Sequence, residues 1–307
     1  MKVINDMKIS LCGLAGCGKT SIYLTTIGGM MPTDVRDLRP TVLYEVRSHN
    51  YLGLEVSLWD FGGQSQYREN YLANPAVLGG TDVLVFVVDL RNPDHFSDAE
   101  KYLDSLMEIL EKQNQKPKSL IVLFHKYDTE EGYPQELLEK NYEKAKNLPV
   151  FAKYSPIMHT TSIYQQDKLS RILRDMLISD FDTLRKSVES AEDHLKSLNS
   201  RIIISDVGGN IIVHNIEGIS AGLKLRPDLR EFISSCNTLR EVFFNTEFAE
   251  FHGKSKEGKT VQLNVYNDIL AVFIMMDDEK KDPKTKIEAL LADMKIFADV
   301  ALEASEL

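Results

Sequence analysis

Cysteine is scarce. Cys12, Cys17 and Cys236 are all that 307 residues contain, at spacings that suit no metal cluster and in an odd number. A disulfide framework is thereby excluded, and a reducing compartment is expected. Long apolar runs are missing too: nothing approaches the ~20 residues that a membrane-spanning helix needs. The opening MKVINDMKIS carries no apolar stretch of the signal-peptide kind and no myristoylation start, and the closing EASEL has no cysteine to prenylate. The expected location is the cytoplasm, with any membrane reached through a partner. Positive charge is also in short supply. Lys and Arg number 36 against 46 Asp and Glu, a formal net charge of −10. That balance excludes nucleic acid and anionic lipid as bulk partners. His95, His159, His214 and His252 have no Cys or carboxylate companions at metal spacing.

What the chain does have is apolar material in two different rhythms. Up to about residue 178, short apolar runs alternate with helical patterns: KISLCG (8–13), TVLYEVRS (41–48), LEVSLWD (54–60), DVLVFVVD (82–89), SLIVLFHK (119–126) and SPIMHTT (155–161). DVLVFVVD and SLIVLFHK are apolar on both faces, as strands inside a parallel sheet must be. Between them, Phe96, Leu103, Leu106, Met107 and Leu110 recur at helical spacing over 94–113. The alternation predicts an α/β domain with a mostly parallel six-stranded sheet over 1–178.

From 179 to 307 the order changes to helix (182–198), a strand pair around a Val-Gly-Gly-Asn turn (201–215), helix (227–239), strands at 241–251, 259–267 and 269–277, and helix (284–304). This predicts an α+β domain with a five-stranded antiparallel sheet.

The phosphate-cradling pattern G-x-x-x-x-G-K-[ST] occurs twice, as GLAGCGKT (13–20) and as GKSKEGKT (253–260). A working loop needs a strand before it and a helix after it, so that backbone N–H groups and the helix N-terminus face the phosphates. The first match has both. The second lies between runs that alternate with period two, and reads as a solvated hairpin loop.

At the first match, Gly13 and Gly18 permit a tight backbone, Lys19 reaches for the β- and γ-phosphates, and Thr20 offers a hydroxyl to Mg²⁺. In WDFGGQ (59–64), Asp60 emerges at a strand end beside the metal, Gly63 leaves its N–H open to the γ-phosphate, and Gln64 can orient a water. In HKYD (125–128), the Asp128 carboxylate can accept from both N1–H and the exocyclic amine of guanine, with the Lys126 stem along the base. In TTSI (160–163), the Ser162 N–H can meet the guanine carbonyl. Thr41 is the candidate second hydroxyl ligand for Mg²⁺, engaged when a γ-phosphate orders its loop. Asp89 reads as a turn cap and Trp59 as packing. Arg36 and Arg39 read as solvated loop arginines, with a catalytic finger in cis as the competing role.

These segments, in this order, resemble the Ras-like small GTPases and, within them, the Rag/Gtr family. The base motif begins with histidine, the last motif reads Thr161-Ser162-Ile163 followed by tyrosine, and a second domain with the element order of a roadblock fold comes at once after it. WDFGGQ also resembles the Arf family, but Arf proteins lack the second domain. The resemblance implies that Gly13, Ala15, Gly16, Cys17, Gly18, Lys19, Thr20, Ser21, Thr41, Asp60, Gly63, Gln64, His125, Lys126, Asp128, Thr161, Ser162 and Ile163 line a GTP/GDP site holding Mg²⁺. Gln64 and Thr41 would serve hydrolysis, and Thr20, Thr41 and Asp60 the metal. It also implies pairing through 179–307, as a homodimer or with a second Rag-like protomer, and activating, exchange and scaffold partners. Gly62-Gly63-Gln64 resembles the A/B type of protomer more than the C/D type. Ala15, where many Ras-like proteins have glycine, argues for slow unaided turnover. A dimeric scaffold with a structural nucleotide is the competing expectation.

Overall fold

The structure, a computed structural model, describes residues 7–28, 30–179, 181–216, 248–254, 258–276 and 282–306. Its first sheet is built around the two runs that are apolar on both faces. β4 (Val83–Asp89) and β5 (Ser119–His125) pair in parallel from Val83↔Ser119 to Asp89↔His125, and Leu84, Val85, Val122 and Phe124 have no solvent exposure. β1 (Met7–Gly13) pairs in parallel with β4 and with β3 (Leu54–Phe61). β2 (Tyr44–Tyr51) and β6 (Ile157–Thr160) form the edges, so the order is β2-β3-β1-β4-β5-β6. Leu52 (φ 53°) and Gly53 (φ 82°) both adopt left-handed backbone in the two-residue turn that joins β2 to β3, the geometry a tight hairpin demands.

Helices α1 (Lys19–Thr26), α2 (Ser65–Ala73), α3 (Phe96–Lys112), α4 (Gln135–Lys146), α5 (Pro149–Tyr154) and α6 (Gln166–Leu177) intervene. The predicted face of α3 is the buried one: Phe96, Leu103, Leu106, Met107 and Leu110 join the core with Phe86 and Phe124.

One predicted strand is displaced. The run 41–48 begins as a strand only at Tyr44, because Leu43 is left-handed (φ 54°) and its carbonyl accepts the Gly62 N–H at 2.6 Å. Residues 41–43 are thereby pinned beside the end of β3 rather than extended along it.

Contacts divide the chain into two compact units, Asp6–His49 with Val56–Leu169, and Asn50–Glu55 with Ser170–Leu307. The sequence pattern changes at 178–182, whereas the contacts divide partway along α6. Arg174 accounts for the difference: buried at 5% exposure, it donates to Glu192 Oε1 at 2.9 Å and to the Ile212 carbonyl at 3.0 Å.

In the second unit, α7 (Asp182–Lys196) precedes β7 (Arg201–Asp206) and β8 (Ile211–His214). β9 (Phe248–Lys254), β10 (Thr260–Tyr266) and β11 (Leu270–Met276) complete an antiparallel sheet of order β8-β7-β11-β10-β9. α8 (Lys284–Glu306) buries Leu290, Met294 and Phe297. Its Asp293 accepts hydrogen bonds from Ser190 and His194 of α7, both at 2.9 Å. The predicted helix at 227–239 and the start of the strand at 241–251 lie outside the described residues. No described helix is long and apolar enough to cross a membrane.

Candidate functional site

GLAGCGKT runs from the end of β1 into the first turn of α1, with strand before and helix after. Gly18 caps the helix in left-handed backbone (φ 97°), and a Cβ on it would lie 2.5 Å from His125 Cδ2. Only glycine fits there. Lys19 folds back over the loop, donating to the carbonyls of Leu14 at 2.8 Å and Gly13 at 3.1 Å, and is 6% exposed. Its ammonium is thus fixed against the backbone of the loop.

A cleft of about 370 Å³ opens over this loop. Ala15, Gly16, Gly18, Lys19, Thr20, Ser21, Thr41, Gly63, Gln64, His125, Lys126, Asp128 and Ile163 line it. It lies at the C-terminal edge of the parallel strands, where open α/β sheets bind their ligands. Although the chain is acidic, the charged lining residues are Lys19, Arg36, Arg39, Arg91 and Lys126 against one carboxylate, Asp128. A concave wall of that sign favours a polyanion.

Three oxygens converge at the phosphate-loop end. Thr20 Oγ1 donates to Asp60 Oδ2 at 2.5 Å, Thr41 Oγ1 donates to the same oxygen at 3.2 Å, and the two hydroxyls are 2.9 Å apart. Asp60 has no exposure, and its Oδ1 is buried without a hydrogen-bond partner. Burial raises its pKa, opposed by the hydrogen bond from Thr20 and the charge of Lys19. A buried carboxylate oxygen left unpaired beside two hydroxyls fits a hard divalent cation such as Mg²⁺, which takes few protein oxygens and fills its remaining positions with water and phosphate. Elsewhere among the described residues, no group of three His, Cys, Asp or Glu gathers for a metal.

Gly63 has a different reason to be glycine from the one its motif suggests. A Cβ on it would lie 2.5 Å from Ala15 N and closer still to Leu14. Its bareness lets the end of β3 close against the phosphate loop. Gln64 comes next, at the cap of α2, partly exposed on the cleft rim, and accepts from Gln66 Nε2 at 3.2 Å.

At the other end, Asp128 is held by several donors. Arg91 Nη2 donates to its Oδ1 at 2.5 Å, the Glu130 N–H to the same oxygen at 3.1 Å, and Ser162 Oγ to Oδ2 at 2.6 Å. Lys126, in left-handed backbone (φ 63°), spans from the Gly16 carbonyl at 2.8 Å to Asp89 Oδ2 at 2.6 Å. Asp89 caps its turn as predicted, accepting the Arg91 N–H at 2.9 Å. His125 is 2% exposed, with Nδ1 3.0 Å from Thr161 Oγ1, and burial followed by the charges of Lys126 and Arg91 lowers its pKa to about 3. It is a neutral wall residue.

Five predicted site residues stand behind the cleft rather than on it: Gly13, Cys17, Asp60, Thr161 and Ser162. The hydroxyl of Ser162 supports Asp128, whereas its backbone N–H was the expected contact. Arg36 donates to the Tyr164 hydroxyl at 3.2 Å, near the base-reading end. Arg91 on the cleft and Asp89 behind it are residues that sequence motifs did not bring to the site, and Tyr164, the tyrosine after the last motif, had been given no role in it. Arg91 lies just past the end of β4, so its place at the C-terminal edge of the sheet was the available signal.

Residues 8–222 match the conserved region of the Gtr1/RagA G proteins. Ras-related GTP-binding protein A of Dictyostelium discoideum is 27% identical over 266 residues, covering 80% of this chain and 84% of that protein. ADP-ribosylation factor-like protein 1 of Saccharomyces cerevisiae is 32% identical over 124 residues, covering 40% of this chain and 62% of that protein. A solved structure of the Arl6 (BBS3) small GTPase from Trypanosoma brucei superposes with a TM-score of 0.40 at 16% identity, over 54% of this chain and 91% of that one. So loose a superposition adds nothing to the strand order already described.

Proposed function

The chain belongs to the Gtr1/RagA family of G proteins, and from that premise we propose a guanine-nucleotide switch that binds GDP or GTP in the cleft and hydrolyses GTP slowly when unaided. The observation that carries this reading is the meeting of Thr41 with Thr20 and Asp60. Thr20 and Asp60 sit on the rigid ends of α1 and β3. Thr41 comes from the pinned segment ahead of β2, and its hydroxyl bonds both of them. A site that merely stored a nucleotide would need no such connection to a neighbouring loop.

Thr20, Thr41 and Asp60 would hold Mg²⁺, which when bound neutralises charge on the β- and γ-phosphate oxygens. Lys19 presents its ammonium to the same oxygens from within the loop. Gln64 orients the attacking water on the rim. Asp128 accepts from guanine N1–H and the exocyclic amine, a pair that adenine lacks. Ala15, exposed in the cleft lining, carries a Cβ that would crowd an attacking water or a partner's arginine. Unaided turnover on the order of 10⁻³ per second or less is therefore expected.

The second unit would pair the chain with another copy or with a related Rag-like protomer, and partners would bring the cytoplasmic dimer to a membrane scaffold. Ile296, a large apolar residue 59% exposed on α8, is the side chain whose substitution tests that pairing.

Single-turnover hydrolysis of preloaded GTP tests the switch. Gln64→Leu should bind GTP as the wild type does and release phosphate several-fold more slowly. An unchanged rate would show that another group positions the water, and failure of the wild type to bind GTP would overturn the function itself.

A further inference from the structure

A carboxylate reads guanine with both oxygens only if its plane is already set when the base arrives. On a free side chain that alignment must be made during binding, at the cost of rotamer freedom. Asp128 lies in the turn after β5, where its own segment supplies one donor, the Glu130 N–H. Arg91, reaching in from the turn after β4, supplies far more. Its Nη2 lies 2.5 Å from Asp128 Oδ1, 3.2 Å from the Asp128 carbonyl and 2.9 Å from the Glu130 carbonyl. One guanidinium therefore holds both the side chain and the backbone of the turn that carries it. The pair is well shielded, with side-chain exposures of 16% for Arg91 and 9% for Asp128. Arg91 is itself anchored: its N–H donates to Asp89 Oδ1, and Asp89 Oδ2 takes Lys126, which reaches the Gly16 carbonyl.

We propose that Arg91 is a positioning residue for guanine discrimination, holding the Asp128 carboxylate ready for the base on a chain of contacts that begins at the phosphate loop. This rests on the guanine site proposed above. Arg91 makes these contacts through one nitrogen, Nη2, which ties the carboxylate to the two backbone carbonyls beside it, and the shorter-reaching, non-planar ammonium of a lysine would hold that set less well. Ser162 holds the other carboxylate oxygen at 2.6 Å, so the two donors set the plane from opposite sides.

The test compares GDP with inosine diphosphate, which lacks the exocyclic amine, in the full-length wild type, Arg91→Ala and Arg91→Lys. Each affinity ratio is measured on a single preparation, so a partly unfolded variant does not distort it. The wild type should prefer GDP, and Arg91→Ala should lose about tenfold of that preference, the worth of one charge-assisted hydrogen bond. Arg91→Lys should fall between. GTP against inosine triphosphate should change by the same factor, because the base end is common to both. An unchanged ratio in both variants, or tighter GDP binding by Arg91→Ala as for a competitor removed, would overturn the role of Arg91. A wild type that does not distinguish GDP from inosine diphosphate would instead overturn the base site on which the role depends.

Discussion

His125 is packed from both sides, by Thr161 through a hydrogen bond and by Gly18 through bare van der Waals contact. A protonated imidazole has no place there, and the pKa is held down at about 3 against an ordinary value of 6.5. In the unfolded chain the ring takes up its proton near pH 6.5, whereas the folded protein resists down to about 3. Stability is therefore complete above the unfolded value and is lost as pH falls through that window. Between pH 7 and pH 5 the loss from this residue should be about 2 kcal/mol. Melting curves of the wild type and His125→Asn, with the same nucleotide bound, should diverge as pH is lowered, the asparagine variant declining less. Parallel curves would mean that the ring finds room for its proton. Residues of this kind were legible because they lie in short contiguous motifs with fixed neighbours. Arg91 was not, because its carboxylate partner is 37 residues away and no spacing rule connects the turn after β4 to the turn after β5. Nor does the bare motif reveal why Gly63 is glycine, since the backbone it accommodates belongs to Leu14 and Ala15.

Element by element, burial made the sequence readable. β4 and β5 are apolar on both faces, and they occupy interior positions in the sheet. β2 was harder, because most of its residues are exposed or half-exposed and its start is set by the Leu43 carbonyl bond to Gly62. The two phosphate-loop patterns separate cleanly by the element on their C-terminal side. Lys19 opens α1, while Thr260 opens β10, paired antiparallel with Lys254. The second pattern thus has no helix N-terminus to turn toward a phosphate. Calorimetry should find one nucleotide per chain, lost in Lys19→Ala and retained in Lys259→Ala. A second bound nucleotide that disappears with Lys259 would contradict that assignment.

For the molecule as a whole, the second unit is proposed as the place where copies meet. Of the large apolar side chains exposed among its described residues, Ile296 stands furthest into solvent. Burying what this side chain still exposes contributes roughly 1–2 kcal/mol. Light scattering on the full chain should give a mass near twice 34.8 kDa, and Ile296→Glu should shift it toward the single-chain value. A wild-type chain that is monomeric at every concentration would leave pairing with a different protomer as the route to assembly.

The basic cleft in an acidic chain also bears on how quickly a nucleotide is captured. A triphosphate in bulk solvent meets a protein with a formal net charge of −10. Lys19, Arg36, Arg39, Arg91 and Lys126 attract it locally at the cleft, Arg36 and Arg39 from exposed positions. Charges are felt over about 30 Å in 0.01 M salt but about 8 Å at 0.15 M. Dilute buffer therefore extends the repulsion of the whole chain further than it strengthens the short-range attraction inside. Stopped-flow association of a fluorescent GTP should accelerate as ionic strength rises from dilute to physiological, where a basic nucleic-acid binder would slow. A rate that falls over that range would mean that the cleft's field already dominates at a distance. With the expected sign, ordinary cellular salt removes the barrier to entry and leaves the grip of the cleft largely intact.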